Sequence, residues 1–492
     1  MNQNSVSEEV AAGYELVVGL EVHAQLHTKS KAFCSDSTEY GALPNTLLSP
    51  VSLGHPGTLP RFNRQVLDYG ILLGLAMNCK IRAYNEFARK NYFYADLPKG
   101  YQITQHTTPL AYEGYVWLNL EEGKRRRVGI TRIHMEEDAG KSIHDQDPYD
   151  TLVDLNRCGV PLLEIVTEPD LRSAREAYTY LHEIRRLVRY LEICDGNMEE
   201  GSLRCDANIS VRPQGSQTLG AKVEVKNMNS MRHVQRAIEY EFERQVACME
   251  RGERVVSETR SFDPQAQNTF TLRSKEAAND YRYFPEPDLP PVWVGEAEIQ
   301  AVRSLMPPLP DALMLHFTQD LGLSNYDAAV LTDHKPLALW FLELAGKTRH
   351  HKQAANWMMG PVKTWLNAKA LDIDRFPLGT DALAALIEAV QGGILTHHQA
   401  EKMLWPAWLE RPEADLKTMV QELGLEATGP ALDLHAVADQ VLASLPQKVQ
   451  EYRQGKKGLL ALFMGSVMKA TGGKANPSEA SAILQSKLDQ SS

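Results

Sequence analysis

Cysteine is scarce in this chain of 492 residues, which has six thiols, Cys34, Cys79, Cys158, Cys194, Cys205 and Cys248, and no CxxC pair. That spacing excludes a disulfide framework, and the thiols read as reduced and mostly buried. No apolar run approaches the roughly 20 residues that a membrane helix needs. Residues Met1 to Gly13 are polar and acidic, without the basic start and apolar stretch of a secretory signal, so a cytoplasmic protein with no membrane partner is expected. Positive charge is not in surplus either: 52 Lys and Arg stand against 63 Asp and Glu, a net charge of −11. A protein that coats nucleic acid indiscriminately is thereby excluded, because phosphate neutralisation needs clustered bases, and any RNA contact must use a local patch. A Walker loop is absent as well. AGKS at Ala139–Ser142 has Met135 where the first glycine belongs, and AGKT at Ala345–Thr348 has Phe341 there. Nor does any period of about 20–50 residues mark a repeat protein.

What is present has the composition of an ordinary globular protein, 43% hydrophobic and 23% charged. The length favours two to four domains of roughly 100–200 residues. From Tyr14 to Leu289, short period-two stretches alternate with turn signals, which predicts a sheet-rich α+β domain. Two long helices interrupt it. One opens at Ser173 with Glu176 three residues on, and places Ala177, Leu181, Ile184, Val188 and Leu191 on one face. The other carries Val234, Ile238, Phe242, Val246 and Met249 before the stop at Gly252. The four prolines of FPEPDLPP, Phe284–Pro291, end this pattern by removing donors and fixing φ. Beyond them the text turns helical, with helices predicted over 328–345 and 351–368 and a second boundary between 377 and 412. The expected division is a sheet-rich domain over 1–292, a helical domain over 293–405 and a small helical tail over 406–492.

Chemistry is concentrated on strand faces. In YELVVGLEVHAQL the even positions Leu16 to Leu26 are apolar, so Glu21, His23 and Gln25 share the opposite face. In GSLRCDANISVRP, Leu203, Cys205, Ala207, Ile209 and Val211 alternate with Arg204, Asp206, Asn208, Ser210 and Arg212, and KVEVKN repeats the device with Lys222, Glu224 and Lys226. Taken singly, each is equally an antiparallel sheet with one wet face. RIHMEEDAGKS offers Glu136, Glu137 and Asp138, while Glu164 sits inside the apolar run VPLLEIVTEPD, a costly place for an unpaired carboxylate. Together Glu21, His23, Glu137, Glu164 and Asp206 are oxygen donors plus one imidazole, a set that suits Mg²⁺ better than Zn²⁺.

If ATP is used without a Walker loop, side chains must hold its phosphates. Lys90, Arg132, Lys141, Arg204, Arg273, Lys275 and Arg282 are candidate clamps, each equally readable as a surface ion pair. RKNYFYADLPKGYQITQ (Arg89–Gln105) and DYRYFPEPD (Asp280–Asp288) mix aromatics with bases, as surfaces that stack on nucleotide bases do. Near the C-terminus, Lys448, Arg453, Lys456, Lys457, Lys469 and Lys474 form the local basic patch, with Lys456, Lys457, Lys469 and Lys474 as candidate tRNA contacts.

The strings GLEVHAQL, HPGTLP, RKNYFYADLPKGYQITQ, RIHMEEDAGKS, VDLNRCGVPLLEIVTEPD, EEGSLRCDANIS, KNMNS and DYRYFPEPDL together resemble the B subunits of the tRNA-dependent amidotransferases. NWMMG from Asn356 and FMGSVMKATGGKANP from Phe463 extend the likeness over nearly the whole chain. The resemblance implies a cradle-like catalytic domain, a helical domain and a tRNA-linked tail. It further implies ATP and Mg²⁺, an amidase-type A subunit that releases ammonia from glutamine, a small C subunit, and mischarged Glu-tRNA(Gln) or Asp-tRNA(Asn) as substrate. Metal ligation, on the same resemblance, falls to Glu21, His23, Glu137, Glu164 and Asp206. One departure stands out: where many members carry four zinc-spaced cysteines, this chain has Cys34, Asp36, Ser49 and Ser52, so no zinc is expected. The competing expectations are a tRNA-holding scaffold without chemistry of its own, and an independent ligase acting on a free amino acid.

Overall fold

The computed structural model describes residues 7–120, 123–274, 281–425, 434–471, 475 and 477–489. Two compact units divide it, Met1–Leu313 and Met314–Ser492. In the first, the alternation of YELVVGLEVHAQ becomes β1 (Tyr14–Gln25), with Leu20, Val22 and Ala24 buried and Glu21, His23 and Gln25 partly open. In chain order follow β2 (Lys80–Ile81), β3 (Tyr84–Asn85), β4 (Ala88–Asn91), β5 (Tyr101–Thr104), β6 (Ala111–Asn119), β7 (Arg125–Glu137), β8 (Lys141–Ile143) and β9 (Leu152–Asp154). The remainder are β10 (Pro161–Thr167), β11 (Leu203–Pro213), β12 (Val223–Lys226), β13 (Glu258–Asp263), β14 (Asn268–Ser274), β15 (Phe284–Pro285) and β16 (Val292–Trp293). Nine of them lie side by side in the order β14-β13-β12-β11-β1-β10-β7-β6-β2. β1 is therefore central, antiparallel to β10 on one side and to β11 on the other.

The helices of this unit are α1 (Glu8–Ala11), α2 (Arg64–Ala76), α3 (Ala174–Tyr190), α4 (Met231–Glu250) and α5 (Glu296–Ser304). α3 begins as expected, with Ser173 Oγ accepting the Glu176 N–H at 3.1 Å, and it buries Ala177, Leu181, Ile184 and Val188. α4 buries Val234, Ile238 and Val246. Its buried side also takes Glu241, fully enclosed and bonded by Arg244 at 2.8 and 2.9 Å and by Arg260 at 3.1 Å. On α2, Gly70 and Gly74 lie so close to Leu110 and Ile81 that a Cβ on either would collide with them. One core joins these helices to Leu20, Val22, Ile133, Met135, Leu163, Ile165, Cys205 and Ala207 of the sheet. Each Leu, Ile, Val or Met among them contributes about 1.5–3 kcal/mol by leaving water. Because alternate residues point oppositely, burial of that set turns His134, Glu136, Glu164, Arg204 and Asp206 to the other face.

The proline segment stays with the sheet unit. Phe284 and Pro285 pair with Arg89 and Ala88, and Val292 and Trp293 pair with Asn85 and Tyr84, as short edge ladders where proline is tolerated.

Every regular element described in the second unit is a helix. The helix expected over 328–345 is two, Asn325–Leu331 and Lys335–Ala345. Pro336 is the reason: in a continuous helix its ring would strike the Thr332 carbonyl, whereas it fits the first turn of a new one. Over 351–368 the chain remains coiled, passing from His351–Trp357 through one wide turn at Met358–Val362, which accommodates Pro361, into Lys363–Lys369. Leu434, Tyr452, Phe463, Val467 and Leu484 form a separate small core in the tail.

Candidate active site

Strand register builds the site. Across the sheet, Arg204, His23, Glu164 and His134 occupy one row, since Arg204 pairs with His23, His23 with Glu164, and Glu164 with His134. Glu164 Oε2 lies 3.3 Å from Nε2 of both His23 and His134, and each imidazole is 3.7 Å from a Glu136 oxygen. Thr104 Oγ1 donates to Glu136 Oε2 at 3.2 Å. His134, Glu136 and Glu164 are buried, and His23 is partly open. Burial favours the neutral form of each group, but the opposite charges outweigh it. Glu164 is held well below the usual carboxylate range by the two imidazoles, His23 is raised by Glu164 and Glu136, and His134 is raised to about 9. Glu164 and Glu136 thus favour the charged form of His134 against its burial.

The neighbouring row pairs Glu21 with Asp206. These two and Glu224 bring three oxygens within 4.8 Å of one another, as do His23, Glu136 and Glu164 with their own three donor atoms. Among the described residues these are the two groups whose donors converge closely enough to hold a cation. The second group already has a positive neighbour, because Lys226 Nζ lies 2.5 Å from Asp206 and 3.3 Å from Glu224. Burial lowers the Lys226 ammonium, and Asp206 and Glu224 reverse that and raise it. Asn208 Nδ2 donates to Glu21 at 2.8 Å.

The five residues singled out in the sequence as one ligand set thus fall in three places. His23 and Glu164 share the first group, Glu21 and Asp206 the second. Glu137 stands apart: its carboxylate accepts the Ile103 N–H at 2.9 Å and an ion-paired Lys99. Glu136 is the acid that joins His23. The signal for it was present, since Ile133-His134-Met135-Glu136 alternates and the apolar pair fixes which face His134 and Glu136 share. Glu224 was recognisable in the same way from Val223 and Val225.

The candidate clamps are scattered. Lys90 Nζ lies 5.0 Å from the Tyr281 ring and 6.0 Å from that of Tyr92, and Glu136 and Glu164 raise it against the lowering by burial. Arg132, exposed, pairs with Val166 one row from His134. Arg204 Nη1 is 3.0 Å from Asp138 Oδ2, whose other partners are Gln25 at 2.7 Å and Arg157 at 3.7 Å. Lys141 and Arg282 are exposed. Arg273 lies opposite Thr259 in the β13–β14 ladder. Lys275 lies outside the described residues. In the tail, Lys456 pairs with Glu451 at 3.1 Å and Lys457 with Asp489 at 2.7 Å, Lys469 is exposed, and Lys474 lies outside the described residues.

The loop with the zinc-position substitutions is tied by hydrogen bonds. Asp36 Oδ2 accepts from the Ser49 N–H at 2.9 Å and from the Ser52 hydroxyl, and Ser52 Oγ is 3.3 Å from Cys34 Sγ. Beneath it the fully buried Lys31 donates to the Leu47 carbonyl at 2.8 Å.

Residues 16–300 match the GatB/GatE catalytic domain, and residues 339–488 match the GatB domain. A protein of Synechococcus sp., named as the B subunit of aspartyl/glutamyl-tRNA(Asn/Gln) amidotransferase, is 46% identical over 491 residues, 99% of this chain and all of its own length. Proteins of the same name from Thermosynechococcus vestitus and Moorella thermoacetica are each 48% identical, the former over 97% of both chains, the latter over 96% of this chain and all of its own. With both domains matched and such likeness from end to end, the chain belongs to the GatB family.

Proposed function

We propose that this chain is the component of a tRNA-dependent amidotransferase that holds mischarged tRNA and activates its side-chain carboxylate with ATP. The substrate is Glu-tRNA(Gln) or Asp-tRNA(Asn). One carboxylate oxygen takes the γ-phosphoryl group and ADP leaves; ammonia then attacks the acyl carbon, inorganic phosphate departs, and the amide loses a proton to water. An amidase-type A subunit supplies the ammonia from glutamine, and a small C subunit completes the complex. The observation that carries this reading is the convergence of His23, Glu136 and Glu164 on the sheet face that the helices leave open.

The donor set fits a hard divalent cation, having two carboxylates and one imidazole on rigid strands. His23, Glu136 and Glu164 would hold Mg²⁺, and Glu21, Asp206 and Glu224 form a second candidate group. When bound, the ion offsets the charge of phosphate oxygens. The protein's own contribution is orientation: Glu164 fixes both imidazoles, Thr104 fixes Glu136, and Arg204 and Lys90 present positive charge beside the row. A scaffold that merely held tRNA has no use for so many enclosed charges, whose desolvation is costly.

We further assign residues 1–292 to catalysis, 293–405 to a helical spacer and 406–492 to tRNA binding through Lys456, Lys457, Lys469 and Lys474. The protein is cytoplasmic and carries no zinc on this reading. Among the described residues no helix is long and apolar enough to cross a membrane. The test is ATP hydrolysis by the assembled complex, with and without Glu-tRNA(Gln). Stimulation by the charged tRNA that vanishes in Glu136→Gln and Glu164→Gln is the expected result; full turnover in both variants would remove the site from the chemistry.

A further inference from the structure

The aromatic side chains of two sequence stretches, Arg89–Gln105 and Asp280–Asp288, are not accounted for by the cation-holding row. The fold brings these stretches together. Phe284 and Pro285 pair with Arg89 and Ala88, which sets Tyr283 beside the turn that follows β5. There His106 stacks on Tyr283, the ring centroids 4.0 Å apart and the planes 6° from parallel. The turn is stiff: Gln105, buried, accepts the N–H groups of Leu110 and Met135 at 3.1 and 3.0 Å and donates to the Thr108 carbonyl at 2.8 Å. His106 itself is exposed, and with Tyr283, Phe284, Pro285, Thr107 and Glu86 it lines a pocket of about 130 Å³.

That volume is well below the roughly 300–1,000 Å³ of sites that enclose a whole small ligand. No Lys or Arg is among the described residues that line it, so it has nothing to hold a triphosphate. Glu86, oriented by the Tyr84 hydroxyl at 2.7 Å, presents an acceptor for an exocyclic amine. Flat rings, one such acceptor and no anion clamp suit a single base carried on a longer strand. The inner end of the stack reaches the reaction row. Tyr281, edge-on to Tyr283 at 6.0 Å, carries the aromatic surface on to Lys90, which lies 5.0 Å from its ring. Burial raises the Tyr283 phenol, and Glu164 and Glu136 add to this against the lowering by Lys90. In an aminoacyl-tRNA the amino acid is esterified to the ribose of the terminal adenosine, so its carboxylate and that base must arrive at neighbouring places. We propose that the His106–Tyr283 stack is the platform for the terminal adenine of the mischarged tRNA, with the 6-amino group toward Glu86. The assignment rests on the reading that the chain holds mischarged tRNA, and it adds where the last base lies.

The test uses the assembled complex. His106→Ala is expected to raise the KM for Glu-tRNA(Gln) roughly tenfold, the effect of losing one base stack, with the KM for ATP unchanged. His106→Phe, which keeps a flat ring, is expected to restore the wild-type value. An unchanged KM for the RNA in the alanine variant overturns the proposal, and so does a phenylalanine variant as poor as alanine. A rise confined to the KM for ATP overturns it too, since the pocket would then belong to the nucleotide. A second arm needs no variant: tRNA(Gln) with 2-aminopurine as its 3′-terminal base is expected to lose fluorescence on binding to wild type, as stacked 2-aminopurine does. Bound RNA with undiminished fluorescence sinks the platform alone, whereas a complex that binds no tRNA at all sinks the tRNA-holding reading as well.

Discussion

His23 and Glu164 stand opposite one another in the β1–β10 ladder, the imidazole Nε2 3.3 Å from the carboxylate Oε2. His134 approaches the same oxygen at the same distance from the other side, so one carboxylate orients two rings. Fixing side chains through backbone pairing keeps the donors in place without a flexible loop, which is the condition for a preorganised cation site.

Glu164→Gln removes half the charge of the His23–Glu136–Glu164 group and leaves two imidazoles with a weaker acceptor. Mg²⁺ affinity is expected to fall on the order of 100-fold, read from the metal dependence of ATP hydrolysis. Glu137→Gln should behave differently. Its partner Lys99 is nearly enclosed, so unpairing it costs about 3 kcal/mol of stability, while the midpoint of the Mg²⁺ dependence stays where it is. Equal metal defects in the two variants would refute the separation.

Asp36→Ala takes two hydrogen bonds from the loop that also carries Ser49, Ser52 and Cys34. A loss of about 1–3 kcal/mol is expected on thermal unfolding. Elemental analysis of the wild-type protein should find no zinc; one equivalent would mean that a metal, rather than Asp36, ties the loop.

Tyr180 is fully enclosed on α3, and its hydroxyl has no hydrogen-bond partner among the described residues. Tyr180→Phe is therefore expected to be neutral or stabilising by about 1 kcal/mol, since a desolvated donor is removed and no bond is broken. A clear drop in Tm would reveal an unseen partner such as a trapped water.

Asp327 follows the helix cap at Ser324 and pairs with Lys352 at 2.5 Å. Burial raises its carboxyl, but Lys352 and Ser324 prevail and hold it below the ordinary 3.8. The folded value lies under the unfolded one, so the stabilisation is complete above about pH 4 and is lost as pH falls through the folded value. Thermal unfolding of the full chain against pH should show this acid loss, and Asp327→Asn should flatten it while lowering stability at neutral pH. An identical acid limb in wild type and variant would exclude the pair as its source.

The sequence by itself determined the two-faced strands, because a period of two with apolar residues on one side leaves a chain little choice: Val22 and Cys205 go inward, and His23 and Arg204 must go out. It determined the start of α3 at Ser173 and the sheet-then-helix order by the same local physics. What it did not determine was which polar residues meet. His23 touches Glu136 and Glu164 because antiparallel register brings residues more than a hundred positions apart into one row, and pairing energy between strands carries no mark in either strand alone. Glu137 and Glu136 are adjacent and chemically alike; only tertiary packing sent one to Lys99 and the other to His23. Glu241 makes the same point from the helix side, since burial of a carboxylate at that position depends on Arg244 and Arg260, and Arg260 is delivered by a different strand. Local alternation fixes direction, and only the assembled sheet fixes neighbours.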